Sequence, residues 1–378
     1  MKKSFLFPLI AGAFLVTSCT QKLETKITGA FDEFLPDDSL LVRVDRQTDT
    51  IPAHNGLFTY IYNGDQAKVI SLYKYPKKNP DGSLISAMLT SLNVVVFPNT
   101  TVTIKGNFDY PQIAGGKFYD EYNKMIAPIE KLKNEYKKAN QAFYQRNREI
   151  ELTQEDKRAF QKVQADKMTQ IRGEVEKYVI ENPNSIVSLY LLSTYHLTNG
   201  EKYLEAFNED MKKGETKEMY DNLKLYYEAK ATRKMAAQRI KVGKEAPNFT
   251  MKDVQGKEFT LSSLRGKYVV LDFWGTWCGW CMKGMPAMKK MYETYKDRLE
   301  IVGVACKDKE NEWKKAIEEN QMTWTNLLNT AEGSTAINNI YNVSMFPSKI
   351  VISPEGIILH IQVGESEDFY KKIDEYMK

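Results

Sequence analysis

A chain of 378 residues with a net charge of only +4 has room for two or three domains and lacks the clustered basic surface of a nucleic-acid binder. Hydrophobic residues at 42% and charged residues at 27% are the balance of an ordinary globular protein. With 3 scattered histidines and 4 cysteines of unequal setting, neither a metal centre nor a disulfide framework is expected, and no cofactor.

The chain opens on Lys2 and Lys3, followed by an apolar run from Phe5 to Val16. A bilayer span takes roughly 18–20 apolar residues, so this shorter run suits a signal peptide over residues 1–18. It ends in Val16-Thr17-Ser18-Cys19, which resembles a bacterial lipobox. The resemblance implies lipidation of Cys19 and a membrane held through that anchor alone, each acyl methylene adding about 0.8 kcal/mol. Thr20 and Gln21 follow in place of an acidic retention signal, which favours a bacterial cell envelope setting on the outer membrane, facing the periplasm.

Residues 19–116 read as β-rich. Alternating or β-branched runs at Leu40 to Val44, Leu57 to Tyr62, Val69 to Tyr73, Asn93 to Phe97 and Thr101 to Lys105 are separated by turn signals. Those signals include Asn55-Gly56, Asn63-Gly64 and Asn79-Pro80-Asp81-Gly82. A small antiparallel β-sandwich is expected. Its order resembles the accessory domain that precedes thioredoxin domains in many envelope lipoproteins. Residues 117–240 turn helical. Thr153-Gln-Glu-Asp156 reads as a capping box opening a helix whose apolar face holds Phe160, Val163, Ile171, Val175 and Tyr178. Ser185 is a candidate cap for the next helix, and Gly200 its end. Ile240 to Pro247 leads into the last domain, 241–378.

There the continuous apolar run Tyr268 to Trp274 marks a strand buried on both faces. A short turn follows, and Cys278 opens a helix with Met282, Met285, Met288, Met291 and Tyr292 on one side, read as core packing. A thiolate at a helix N-terminus is stabilised by unpaired backbone N–H groups and the helix dipole. Two intervening residues place Cys281 one turn on, within reach of a disulfide. Cys278 is therefore the attacking thiol and Cys281 the resolving one. Half a zinc site is the other use of a C-x-x-C, but no second ligand pair exists.

Asp272-Phe-Trp-Gly-Thr-Trp-Cys-Gly-Trp-Cys281 resembles the active-site strand and loop of the thioredoxin superfamily, and Val242 to Phe249 with Leu261 to Lys267 resembles the entry segment of its TlpA/ResA-type, AhpC/TSA-related branch. The resemblance implies an α/β, thioredoxin-like C-terminal domain and a protein-disulfide oxidoreductase, a reductase or isomerase. It gives Asp272 the role of the buried carboxylate that exchanges a proton with Cys281. It also implies a cis peptide before Pro347 in Val343-Ser-Met-Phe-Pro347, facing Cys278. Trp277, Gly279, Trp280, Phe346 and Pro347 are then the candidate substrate-binding residues. The implied partners are disulfide-containing envelope proteins and a membrane electron donor. The chain departs from the family at Trp280, where proline is usual, and at Gly284, where ResA-type reductases carry a glutamate. Cys306 reads as a small buried hydrophobe. Two other functions fit some of the residues: a tethered peptide- or glycan-binding lipoprotein using residues 23–240, and a thiol peroxidase.

Overall fold

Strand-forming residues dominate the first hundred positions, and they pair as two sheets of four in a computed structural model that describes residues 24–45, 47–75 and 91–378. The signal segment, Cys19 and the turn at Asn79 to Gly82 lie outside the described residues. The strands are β1 (Glu24–Phe31), β2 (Ser39–Val44), β3 (Gln47–Pro52), β4 (Leu57–Asn63), β5 (Lys68–Lys74), β6 (Ser91–Val96), β7 (Thr101–Asn107) and β8 (Tyr110–Ala114). One sheet runs β4-β1-β7-β8 and the other β3-β2-β5-β6. The pairings are antiparallel except for β1 with β7, which run parallel, with Ile27 opposite Val102. Alternation puts Ile27, Leu40, Val42, Ile70, Leu72, Val102 and Ile104 inside, each at most 1% exposed. Asn55 and Gly56 both take positive φ, as the turn before β4 requires.

Helices follow: α1 (Gly116–Met125), α2 (Ala127–Glu149), α3 (Gln154–Glu181), α4 (Ile186–Tyr195), α5 (Glu209–Lys213) and α6 (Lys217–Arg239). The capping box at α3 is formed. Thr153 Oγ1 accepts from the Asp156 amide at 3.1 Å, and Asp156 Oδ2 accepts from the Thr153 amide at 3.1 Å. Of the expected apolar face, Ile171 and Val175 are buried. Val163 is half-exposed, and Phe160 instead stacks on Phe143 with ring centroids 3.8 Å apart. The Ser185 hydroxyl accepts from the Val187 amide at 3.0 Å, while α4 stops at Tyr195, before Gly200.

Two compact units result. One holds the described residues up to Tyr195 with 207–219, and the other holds 196–206 with 220–378. The second unit contains β9 (Thr250–Lys252), β10 (Glu258–Thr260), β11 (Tyr268–Trp274), α7 (Gly279–Tyr295), β12 (Leu299–Cys306) and α8 (Glu310–Glu319). After them come β13 (Thr325–Asn329), α9 (Ile337–Ile340), β14 (Ser348–Ile352), β15 (Ile358–Val363) and α10 (Glu367–Tyr376). Its sheet has the order β13-β12-β11-β14-β15. β11, β12 and β13 run parallel, and β14 and β15 antiparallel. This is the thioredoxin-like α/β arrangement, with β11 central and buried on both faces.

Side-chain alternation along β11 divides the core. Val269, Leu271 and Phe273 join Ala236 and Ile240 at the end of α6 with Ile337 and Tyr341. Val270 and Trp274 join Met285, Met288 and Met291 of α7, Trp313 of α8 and Phe369 of α10. The methionine stripe is therefore core packing. Residues 243–246 are bonded to the start of β15 and the turn before it, through Gly243 N–H to the Ile358 carbonyl at 2.8 Å and Ala246 N–H to the Gly356 carbonyl at 2.9 Å. No helix among the described residues is long and apolar enough to cross a membrane.

Candidate active site

Because β11 is a parallel central strand, its C-terminal end delivers the chain to the edge of the sheet, where a new helix must start. Cys278 occupies the N-cap of α7 in extended conformation, and its Sγ accepts the Cys281 amide at 3.2 Å. Cys278 and Cys281 are joined by a disulfide, with Cα atoms 5.2 Å apart. The first is 7% exposed and the second 3%, so the first lies nearer the surface. Pro286 sits inside α7 and cannot donate to the Met282 carbonyl, which loosens the helix one turn beyond the pair.

The loop before the cysteines is fixed by three bonds that the sequence does not announce. The Asp308 carboxylate accepts the Thr276 amide at 3.1 Å and the Thr276 hydroxyl at 2.6 Å. The Trp277 indole N–H donates to the Cys306 carbonyl at 2.9 Å. The Trp277 ring also meets Phe346 edge-on, with centroids 5.3 Å apart. The peptide between Phe346 and Pro347 is cis, as the resemblance implied. Around these residues the surface is aromatic and apolar: Trp277 is 52% exposed, Trp280 66% and Met345 62%, and the Lys283 ammonium lies over the Trp280 ring. A side chain at Gly279 would meet open space. Trp277 thus meets Phe346, and Phe346 packs against the cluster that holds Cys278 and Cys281.

Asp272 is 2% exposed. It points to the same side of the sheet as Val270 and Trp274, the side that α7 covers. Its Oδ1 has no hydrogen-bond partner. Burial holds its carboxyl above the ordinary range, with Lys349 opposing that rise and Glu365 adding to it. Lys349 was missed from sequence, although a charged residue inside the buried strand Ser348-Lys-Ile-Val-Ile352 is itself a signal. Cys306 is 1% exposed, at the end of β12 on the other side of the sheet; burial pushes its thiol up to about 12.

Chemically, the pair can exchange one disulfide for two thiols. A sulfur at a helix N-terminus is the better leaving group and is present to a larger fraction as the attacking thiolate, and the buried carboxylate can hold a proton.

The AhpC/TSA family model matches residues 242–361. The thiol-disulfide oxidoreductase ResA of Bacillus cereus is 33% identical over 129 residues, 34% of this chain and 73% of the relative. ResA of Bacillus subtilis is 34% identical over 140 residues, 36% of this chain and 75% of the relative. Among solved structures, the thioredoxin domain of a thiol-disulfide oxidoreductase from Bacteroides vulgatus shares 32% identity, covering 36% of this chain and 99% of that one, with a TM-score of 0.33.

Proposed function

The chain belongs to the TlpA/ResA-like branch of the thioredoxin superfamily and is a thiol–disulfide oxidoreductase, and we propose that it reduces or isomerises protein disulfides through Cys278 and Cys281. The observation that carries the reading is the position of Cys278. It is the N-cap of α7, bonded to Cys281 and the more exposed of the two.

In this reading the Cys278 thiolate attacks a substrate disulfide and expels one substrate sulfur as thiolate. The Cys281 thiol passes its proton to Asp272 and attacks Cys278, which expels the second substrate sulfur as thiolate and restores the enzyme disulfide. A membrane electron donor then reduces the pair for the next cycle. Trp277, Trp280 and Phe346–Pro347 take an extended peptide around the scissile disulfide, with aromatic faces suited to apolar segments. Lipidation at Cys19 holds the enzyme on the envelope, at the outer membrane facing the periplasm, among disulfide-containing envelope proteins. Residues 19–240 stand between the anchor and the catalytic domain and serve to select partners.

Dithiothreitol-driven insulin reduction tests the chemistry. The purified chain is expected to accelerate it, and Cys278→Ser to abolish the effect; an inactive wild type refutes the reading. Cys281→Ser is expected to accumulate mixed disulfides with envelope proteins, visible as bands that collapse on reduction. Metabolic labelling with a fatty acid, compared with Cys19→Ala, tests the anchor.

A further inference from the structure

A buried lysine is shared by two carboxylates beneath the first turns of α7. Asp272 and Lys349 are direct cross-strand partners in β11 and β14, and each side chain is 3% exposed. Cross-strand partners point to the same face, which here is the face covered by Cys278, Cys281 and the methionines of α7. Lys349 Nζ lies 3.8 Å from Asp272 Oδ1 and 2.6 Å from Glu365 Oε2. Glu365 enters from the turn after β15 and keeps 17% of its side chain in solvent. The Tyr370 hydroxyl of α10 donates to Glu365 Oε1 at 2.6 Å.

Gly284, on α7, completes the enclosure. A Cβ at 284 would overlap the Glu365 carboxylate. The helix therefore leaves a gap one turn after Cys281, and a carboxylate from a distant loop fills it. Asp272 has Lys349 from β14 beside it, Glu365 after β15 shares that lysine, and Tyr370 from α10 bonds to Glu365, while the two cysteines of α7 pack with Val270 and Trp274, which flank Asp272 on its face of β11. β12 contributes only Gly303 at the adjoining register position, and the Cys306 thiol lies across the sheet. The pocket thus holds one cation and two acids, with His360 of β15 on the same face beside the Phe369 ring that Lys349 lies over.

We propose that Glu365 is a second acid of the redox site, and that its competition with Asp272 for Lys349 sets the pH at which Cys281 can hand its proton to Asp272. The inference rests on the reading of Asp272 given above. When the Cys281 S–H bond breaks, the proton goes to the Asp272 carboxylate and the electron pair stays on sulfur. That sulfur bonds to Cys278, and the Cys278–substrate bond breaks with the substrate leaving as thiolate. While Glu365 keeps the ammonium, Asp272 stays a strong enough base to take the proton. Without Glu365 the whole charge of Lys349 acts on Asp272, which becomes a weaker base that ionises at lower pH. Without Lys349 the opposite holds. Lys349 and Glu365 are positioning residues, since they act through Asp272.

Reaction of the reduced enzyme with an aromatic disulfide that releases a coloured thiol separates the steps. A bimolecular phase reports attack by Cys278, and a following unimolecular phase reports resolution by Cys281. Followed between about pH 5 and 9, the second phase is expected to fall off at low pH as Asp272 protonates. Glu365→Gln should move that fall about one pH unit lower, and Lys349→Met about one unit higher. Gly284→Ala, which displaces the Glu365 carboxylate without removing it, should move it in the same direction as Glu365→Gln. The rate of the first phase should change little in all three. Asp272→Asn separates the two ideas: if it leaves the fall in place, Asp272 is not the base and the reading itself is wrong. If Asp272→Asn abolishes the fall but Glu365→Gln and Lys349→Met leave it unmoved or shift it the same way, the shared-lysine inference alone is overturned.

Discussion

Replacing Asp272 by Asn should stabilise the catalytic domain at pH 8 and do nothing for it near pH 4. The carboxylate is 2% exposed, one of its oxygens has no partner, and its cation is held 2.6 Å from a rival acid. At an effective dielectric of about 20, an ammonium 3.8 Å away returns about 4 kcal/mol. Glu365 cancels part of that, while burying the charge costs several kcal/mol. The net is a destabilising charge, in keeping with a carboxyl raised above its ordinary range. In the unfolded chain the same group ionises near about pH 4. Between that value and the raised one, the folded state binds the extra proton, so stability falls as pH rises through the window. Removing the charge should recover about 1–4 kcal/mol above the window, the range found when buried ionic groups give way to neutral ones. All 5 tryptophans, at 274, 277, 280, 313 and 324, lie in the second unit, so tryptophan fluorescence follows that unit alone through a urea titration. The expected result is a higher midpoint for Asp272→Asn at pH 8, with unchanged slope, and coincident curves near pH 4. Equal midpoints at pH 8, or a gain that does not depend on pH, would refute the charge argument.

Three further outcomes follow from the same structure. With the other two thiols reduced, iodoacetamide at pH 8 should label Cys278 and leave Cys306 untouched until denaturant is added, since burial holds the Cys306 thiol at about 12; labelling of both at similar rates in the folded protein contradicts this. Met288→Ala, at a side chain 1% exposed, should cost about 2–5 kcal/mol in the fluorescence-detected transition, and a loss under about 1 kcal/mol would mean that the stripe under α7 is not core. Trp280→Ala should raise KM about tenfold for a disulfide-bonded peptide while leaving the rate with a small aromatic disulfide unchanged, the pattern of a docking residue; equal losses on both would place Trp280 in the chemistry instead.

The sequence shows features that are local and misses those made by register. The run Tyr268 to Trp274 announces a strand buried on both faces because every second position, and the ones between, must be apolar there; Asp272 is the exception that marks the site. Cys278 is legible as a helix start because the apolar strand ends at Trp274 and a short turn, Gly275 to Trp277, separates it from the periodic methionines that follow. Thr153 and Asp156 form the box their spacing predicts. By contrast β3, Gln-Thr-Asp-Thr-Ile-Pro, carries no apolar alternation, because it is a sheet edge without a buried face. The parallel partnership of β1 with β7 crosses most of the first domain, and no turn signal encodes it. At the site, Gly284 is visible as a missing glutamate. The acid that takes its space comes from position 365, and only the β14–β15 pairing brings it there. Lys349 and Glu365 are 16 residues apart, with no spacing rule joining them.

Cys278 caps the helix that it opens with the same sulfur that we propose as the attacking one. In the disulfide that sulfur is a neutral, weak acceptor. Once the bond is reduced and the thiol ionises, the Cys281 amide donates to an anion, and charge-assisted bonds are roughly twice as strong as neutral ones. The first turn of α7 is therefore closed more firmly in the reduced enzyme than in the oxidised one. Amide hydrogen exchange at Cys281 should slow on reduction, so that the electrons stored in the pair can be read from the backbone without any probe attached to a thiol.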